Sequence, residues 1–141
     1  MSIDKFKIIK KLGSEEFSRL YLCSDNATKN NYAVKMIEMP SNNLFLKYLN
    51  NEIDILKQID HPNVVKLIEW KKTPTHYIIV MEYYNNKDLR YHLDESLKTN
   101  KKPFDENVVQ YLMKQIVNGL KYLHDKDIIH RDIKLSYVKC S

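Results

Sequence analysis

Strand-like and helix-like segments follow one another along this chain in an order that few folds accommodate. Residues 6–37 contain three short apolar or alternating runs separated by polar turns, which predicts three sequential antiparallel strands. In residues 46–59 apolar side chains recur at three- and four-residue steps, which predicts one face of a helix. Two further strand-like runs follow at residues 64–70 and 76–82, with a polar turn between them. The first part of the chain is therefore predicted to be βββαββ.

The second part of the chain has the pattern of helices. Residues 88–97 predict a first helix, residues 106–124 a longer one, and residues 128–129 a last short strand. The longer helix carries one apolar stripe, which consists of Val109, Leu112, Met113, Ile116, Leu120 and Leu123. We therefore predict an α+β fold, in which a five-stranded antiparallel sheet with one helix is followed by further helices.

Composition and charge argue against several classes of function. The 141 residues carry a net charge of +5, but basic and acidic side chains are interspersed and form no basic stripe, so no nucleic-acid partner is expected. Cys23 and Cys140 lack the spacing of a zinc site or a disulfide framework. No apolar run approaches the roughly 18 residues that a membrane span needs. We therefore expect no membrane attachment and a cytoplasmic location in a reducing compartment.

Four short motifs occur in order across nearly the whole chain. They are Tyr32-Ala33-Val34-Lys35, His61-Pro62-Asn63-Val64-Val65-Lys66-Leu67, Val80-Met81-Glu82-Tyr83-Tyr84 and His130-Arg131-Asp132-Ile133-Lys134. In these motifs and their spacing the chain resembles the protein kinase family, in its serine/threonine branch. The joint order is specific, whereas each residue by itself has a simpler explanation. Lys35 alone would be a solvated strand side chain, Glu52 a charge on a helix surface, and Asp132 part of a surface ion pair.

The resemblance implies that the chain binds ATP with Mg²⁺ and acts on serine or threonine of a protein substrate. It assigns two catalytic roles: Asp132 orients the attacking hydroxyl, and Lys134 neutralises the γ-phosphate. It also implies that Lys35 holds the α- and β-phosphates and that Glu52 is the ion-pair partner of this lysine. The other residues that it assigns to the nucleotide are Gly13 in the phosphate loop, Leu20 and Ala33 against the adenine, Met81 as gatekeeper, Glu82 and Tyr84 in the hinge that binds adenine through its backbone, and Asp88 at the ribose.

The chain departs from the family pattern in the phosphate loop and after the catalytic motif. Of the three loop glycines only Gly13 is present, and Glu15 and Glu16 add negative charge near a polyanion. Each glutamate is expected to cost on the order of 1 kcal/mol of nucleotide affinity. Tyr137 stands where the family has a magnesium-binding asparagine, and Lys139 where an apolar side chain supports the adenine. No residue of this chain is therefore predicted to bind a metal.

The sequence ends at Ser141, before the Asp-Phe-Gly motif of the family. We therefore expect a kinase small lobe and hinge in residues 1–84, an incomplete large lobe in residues 85–141, and no phosphate transfer by the chain as written. The alternative hypothesis is a non-catalytic, kinase-like interaction module whose exposed helices bind a partner protein. A basic nucleic-acid binder is a third hypothesis, which the scattered charge disfavours.

Overall fold

The computed structural model describes residues 5–130, 133, 134, 138 and 139, in which five strands and three helices are formed. These elements are β1 (Phe6–Ser14), β2 (Ser18–Asp25), β3 (Asn31–Glu38), α1 (Asn43–Leu56), β4 (Leu67–Lys72), β5 (His76–Glu82), α2 (Leu89–Asn100) and α3 (Glu106–His124). The predicted α+β fold with a five-stranded antiparallel sheet and one helix between its strands is confirmed.

The chain divides into two compact units. The first contains the residues up to 60 together with residues 65–83, and it carries the sheet and α1. The second contains residues 61–64 and the residues from 84 onward, with α2 and α3.

The sheet of the first unit has the strand order β1-β2-β3-β5-β4, and all of its pairs are antiparallel. Side chains alternate between its two faces. The core on one face consists of Phe6, Cys23, Val34, Ile78 and Val80. The core on the other face joins the sheet to α1 and consists of Ile37, Leu49, Ile53, Tyr77 and Ile79. Helix α1 therefore covers part of the second face.

Helix α1 begins at a polar cap and packs through one apolar face. The side chain of Asn42 accepts a 2.8 Å hydrogen bond from the backbone N–H of Leu44, which satisfies a donor that the first turn leaves without a helical partner. Leu49 and Ile53, four residues apart, are both buried against the sheet. The apolar side chains that recur at three- and four-residue steps in the sequence therefore form the contact between α1 and the sheet.

The end of α1 and the start of β4 differ from their predicted positions for local reasons. Helix α1 ends at Leu56 rather than at residue 59, because the next backbone N–H groups, beginning with that of Gln58, bond to carbonyls three residues back and tighten the chain into a turn. Strand β4 begins at Leu67 rather than at residue 64, because Val64 closes a turn by donating its N–H to the carbonyl of His61. The predicted bounds of β5 and α3 are confirmed.

The predicted strand at residues 128–129 is wrong, because these residues follow the turn after α3 and lie in no strand of the described residues. Asp127 has a φ of 60°, in the left-handed region, and reverses the chain. The N–H of Ile128 then donates a 2.9 Å hydrogen bond to the carbonyl of Leu123. This N–H completes the helix terminus and is not available to a strand ladder.

In the second unit, α3 packs against the turn that contains His61 and Asn63. A Cβ atom added to Gly119 of α3 would lie 2.8 Å from the carbonyl oxygen of Asn63, so only glycine permits this approach. The rings of His61 and Tyr122 stack with their centroids 4.8 Å apart. None of the helices in the described ranges is long and apolar enough to cross a bilayer.

Candidate functional site

Five of the residues predicted to contact a nucleotide lie on one face of the sheet. Gly13 pairs with Leu20, Leu20 pairs with Lys35, and Ala33 pairs with Met81. Directly opposed residues of antiparallel strands point to the same face, as do residues two apart such as Ala33 and Lys35. These pairings therefore bring four neighbouring strands, β1, β2, β3 and β5, into one surface. A Cβ atom added to Gly13 would meet no atom within 4 Å, so the surface is open at this point.

Lys35 is a cation on this surface, and its ion-pair partner is a residue of the loop between β1 and β2. Its Nζ lies 3.7 Å from Oε2 of Glu15, and 32% of the Lys35 side chain is exposed. Glu52, the partner implied by the resemblance, lies on α1 and is exposed. Among the described residues, Lys35 and Glu52 are not joined by an ion pair. In this structure the phosphate loop, rather than α1, neutralises Lys35.

Backbone and side-chain hydrogen bonds hold that loop at the end of β3. The N–H of Glu15 donates to the carbonyl of Ser18 at 2.8 Å, and the Ser18 hydroxyl donates to Oε2 of Glu15 at 3.0 Å. The N–H of Glu38, the last residue of β3, donates to the carbonyl of Phe17 at 2.9 Å. The loop is therefore closed, and its closure directs the Glu15 carboxylate toward Lys35.

Met81 and Glu82 are the last two residues of β5, and both are half-buried. Met81 packs against the core beneath α1. Glu82 donates its backbone N–H to the carbonyl of Lys66 at 3.1 Å, which anchors the end of the strand. Tyr84 falls in the second unit and is also half-buried. The assignment of Glu82 and Tyr84 to adenine binding stays a prediction.

Asp88, predicted to contact the ribose, has two partners within the second unit. Its Oδ1 accepts a 2.9 Å hydrogen bond from the N–H of Tyr91 and thereby caps α2. Its Oδ2 lies 3.8 Å from Nζ of Lys139. A backbone bridge between Asp88 and Lys139, together with a 2.9 Å bond from the N–H of Leu89 to the carbonyl of Val138, fixes this arrangement.

The predicted catalytic residues are only partly described. Asp132 lies outside the described residues, as does Tyr137. Lys134 is described and is exposed. In the part of the chain that the structure describes, no group of three or more His, Cys, Asp or Glu side chains could hold a metal ion.

Two contacts, one within each unit, are not predicted by the sequence. Glu15 was predicted only to repel phosphates, and Lys139 only to replace an apolar support. The structure pairs Glu15 with Lys35 and Lys139 with Asp88. The sequence contains a signal for both pairs. Glu15 and Lys139 stand where the family has uncharged residues, and each carries a charge opposite to that of its partner, which is a predicted nucleotide contact.

Most of the chain is similar in sequence to known proteins. A family model described as protein kinase domain matches residues 6–138. The meiosis-specific serine/threonine-protein kinase mek1 of Schizosaccharomyces pombe is 35% identical over 136 residues, covering 96% of this chain and 29% of that protein. MAP3K epsilon protein kinase 1 of Brassica napus is 35% identical over 135 residues, covering 93% of this chain and 10% of that protein. Serine/threonine-protein kinase PLK4 of Xenopus tropicalis is 30% identical over 135 residues, covering 94% and 14%.

The chain thus spans less than a third of the length of these relatives. The range matched by the family model contains all four sequence motifs and all eight helices and strands. The relatives named as serine/threonine kinases agree with the branch that the motifs indicate. Because the match covers nearly the whole chain, this protein belongs to the protein kinase domain family.

Proposed function

We propose that this chain is the nucleotide-binding part of an ATP-dependent serine/threonine protein kinase, with the small lobe and hinge in residues 1–84 and the start of the large lobe in residues 85–141. Proteins of this family use ATP and Mg²⁺. The observation that carries the proposal is the common sheet face of Gly13, Leu20, Ala33, Lys35 and Met81. It offers apolar side chains suited to a purine ring beside the ammonium group of Lys35, which is suited to phosphate.

Each of these residues has a distinct part in the proposed site. Leu20 and Ala33 provide the apolar surface for the adenine, and Lys35 provides the positive charge for the α- and β-phosphates. Asp88 would accept a hydrogen bond from the ribose. Within the family pattern, Asp132 would orient a serine or threonine hydroxyl of a protein substrate, and Lys134 would neutralise the γ-phosphate.

The residues of this chain do not fit a magnesium site. Tyr137 replaces the amide ligand of the family, and a phenol is longer than an amide and does not reproduce the compact octahedral shell that magnesium requires. The described residues contain no cluster of three potential ligands. We therefore propose that the chain as written binds adenine ligands with little assistance from magnesium and transfers no phosphate.

Calorimetric titration of the 141-residue chain with adenosine tests the proposed site. Leu20→Glu places a carboxylate on the proposed adenine surface. Ile8→Glu is the matched control, since Ile8 pairs with Cys23 and lies on the opposite face. We expect adenosine to bind the wild type and Ile8→Glu equally, and to bind Leu20→Glu at least about tenfold more weakly, because an unpaired charge is poorly accommodated against an apolar ring.

Binding of adenosine with equal affinity to all three proteins would contradict the proposed location. Absence of binding to the wild type would contradict the proposed function itself. Magnesium-dependent ATP binding that is about tenfold or more tighter than adenosine binding would show that a metal site exists, since this ratio corresponds to about 1.4 kcal/mol.

A second candidate function is a non-catalytic module that binds a partner protein. The observation in its favour is a row of exposed apolar residues at four-residue spacing on α3, in which Val109, Met113 and Val117 are 42%, 48% and 53% exposed. A partner retained by the Asp132→Ala variant but lost with Met113→Glu would support this function. Loss with Asp132→Ala and retention with Met113→Glu would contradict it.

A further inference from the structure

The two neighbouring glutamates of the β1–β2 loop have different surroundings. Oε2 of Glu15 lies 3.7 Å from Nζ of Lys35 and accepts a 3.0 Å hydrogen bond from Ser18. Glu16 is exposed, and within the described ranges its side chain has no hydrogen bond or ion pair. The two residues therefore carry the same charge but only one of them engages the lysine.

The position of Glu15 follows from the way the hairpin closes. Its backbone N–H is bonded to Ser18 at the start of β2, and Phe17 at the tip of the loop is bonded to Glu38 at the end of β3. Lys35 lies on β3 directly opposite Leu20, just beyond this closed loop. The carboxylate thus reaches the ammonium group because the loop is fastened to the strand that carries the lysine.

The contact between Glu15 and Lys35 is loose enough to be exchanged for another anion. The separation of 3.7 Å exceeds that of a charge-assisted hydrogen bond, which is about 2.7–2.9 Å. The Glu15 side chain is 68% exposed, so it would be solvated as soon as it left the lysine. A phosphate offers the same ammonium group more negative charge and more acceptor oxygens. Carboxylate and phosphate would therefore compete for one site.

We propose that Glu15 is an internal competitor for phosphate at Lys35 and that it lowers the preference of this site for ATP over adenosine. The inference rests on the proposed nucleotide site and gives the two loop glutamates unequal roles in its specificity. Glu15 occupies Lys35 in the ligand-free protein, whereas Glu16 acts on a bound phosphate only through long-range repulsion.

Titrations with ATP and with adenosine, both without magnesium, separate these roles. We expect Glu15→Gln to strengthen ATP binding about three- to fivefold, the upper part of the range typical of an exposed ion pair, and to leave adenosine binding unchanged. Glu16→Gln removes the same charge one residue away and is the matched control. We expect it to strengthen ATP binding less than about twofold, which is less than the sequence alone predicts for either glutamate, because a solvated charge at greater distance is screened.

A Lys35→Met background tests whether the lysine is the point of competition. In that background Glu15→Gln and Glu16→Gln are expected to change ATP affinity equally. Equal effects of the two glutamine variants in the wild-type background would overturn the inference. So would a gain from Glu15→Gln that stays larger than the gain from Glu16→Gln when Lys35 is replaced.

A measurement without nucleotide examines the ion pair directly. The rate of acylation of the Lys35 amine by an activated ester, read by mass spectrometry, is expected to rise in Glu15→Gln and to stay unchanged in Glu16→Gln. Identical rates in all three proteins would overturn the inference even if adenosine binds. Failure of adenosine to bind any variant would instead contradict the proposed function and the competition with it.

Discussion

The phenol of Tyr77 on β5 donates a 2.7 Å hydrogen bond to Oδ1 of Asn50 on α1. Tyr77 has no exposed surface, and its ring belongs to the core between the sheet and the helix. Asn50 itself is exposed. This bond joins the middle of α1 to an interior strand and fixes the helix that carries Glu52 relative to β5, which carries Met81.

Replacing Tyr77 with Phe is expected to destabilise the protein by about 0.5–1.5 kcal/mol, the usual net value of one hydrogen bond. The loss stays small because the exposed Asn50 can bond to water instead. Urea unfolding followed by circular dichroism measures the change. The control is Tyr48→Phe at a side chain on α1 that is 63% exposed, where we expect less than about 0.5 kcal/mol. Equal losses in the two variants would contradict a structural role for the Tyr77 hydroxyl.

Replacing Gly119 with Ala is expected to destabilise the protein, although alanine favours helices. The new Cβ would lie 2.8 Å from the backbone carbonyl of Asn63, and a backbone atom cannot move aside cheaply. Overpacking of this kind lowers the free energy of unfolding by about 1–3 kcal/mol. The higher helix propensity of alanine offsets about 1 kcal/mol of this loss. The net loss of about 1 kcal/mol is measurable as a lower unfolding midpoint in urea.

Gly13→Ala is the matched control, because a Cβ at Gly13 meets nothing within 4 Å and its φ is not positive. There we expect no loss, or a gain of up to about 0.5–1 kcal/mol, since glycine weakens a strand. A stability gain in Gly119→Ala would show that α3 does not approach Asn63 closely in solution.

The stability of the first unit is expected to depend on the ionisation of Asp25. The backbone N–H of Thr28 lowers the pKa of this carboxyl below its ordinary value of 3.8, with smaller contributions from the N–H of Ala27 and the charge of Lys5. Because the folded-state pKa is the lower one, the ionised group stabilises the fold at pH values above the unfolded-state pKa. That stability is lost as the pH falls through the folded-state pKa.

Urea midpoints measured between about pH 5 and pH 2 report this linkage. Asp25→Asn keeps an acceptor for the turn but cannot ionise, so its midpoint should fall less steeply with acid than that of the wild type. Glu16→Gln, at an exposed position, should follow the wild-type curve. Parallel curves for the wild type and Asp25→Asn would contradict the expected role of the carboxylate.

Asp132→Ala is expected to leave phosphate transfer by the 141-residue chain at the background level of the wild type. The reason is the proposal that Tyr137, at the family's position for a magnesium ligand, leaves Asp132 without an activated phosphate. Transfer of radiolabelled phosphate to serine- and threonine-containing peptides measures this. Asp105→Ala, at an exposed carboxylate, is the control. Transfer that is present in the wild type and Asp105→Ala but lost in Asp132→Ala would establish the chain as an active kinase.

The sequence by itself determined the order of the elements that the structure confirms, and its resemblance to the kinase family named the residues that strand pairing places on one sheet face. Period-two alternation places Ala33 and Lys35 on one side of β3, and the three- and four-residue steps place Leu49 and Ile53 on one side of α1. These inferences succeed because backbone geometry sets both periods locally. The prediction of a strand at residues 128–129 failed because no hydrophobic pattern signals the left-handed backbone of Asp127. The same holds for the hydrogen bond from Ile128 that completes the helix terminus.

Only the tertiary structure decided which charges meet. The family pattern assigns Glu52 to Lys35, whereas the closed hairpin brings Glu15 to that lysine, and a short backbone bridge brings Lys139 to Asp88. Each pair is far apart in the sequence, so its formation depends on where a loop is fastened rather than on any local preference. An ion pair is also only marginally favourable when exposed. Which charged side chains pair therefore depends on the backbone hydrogen bonds that position the loop. These hydrogen bonds form only once the strands have paired.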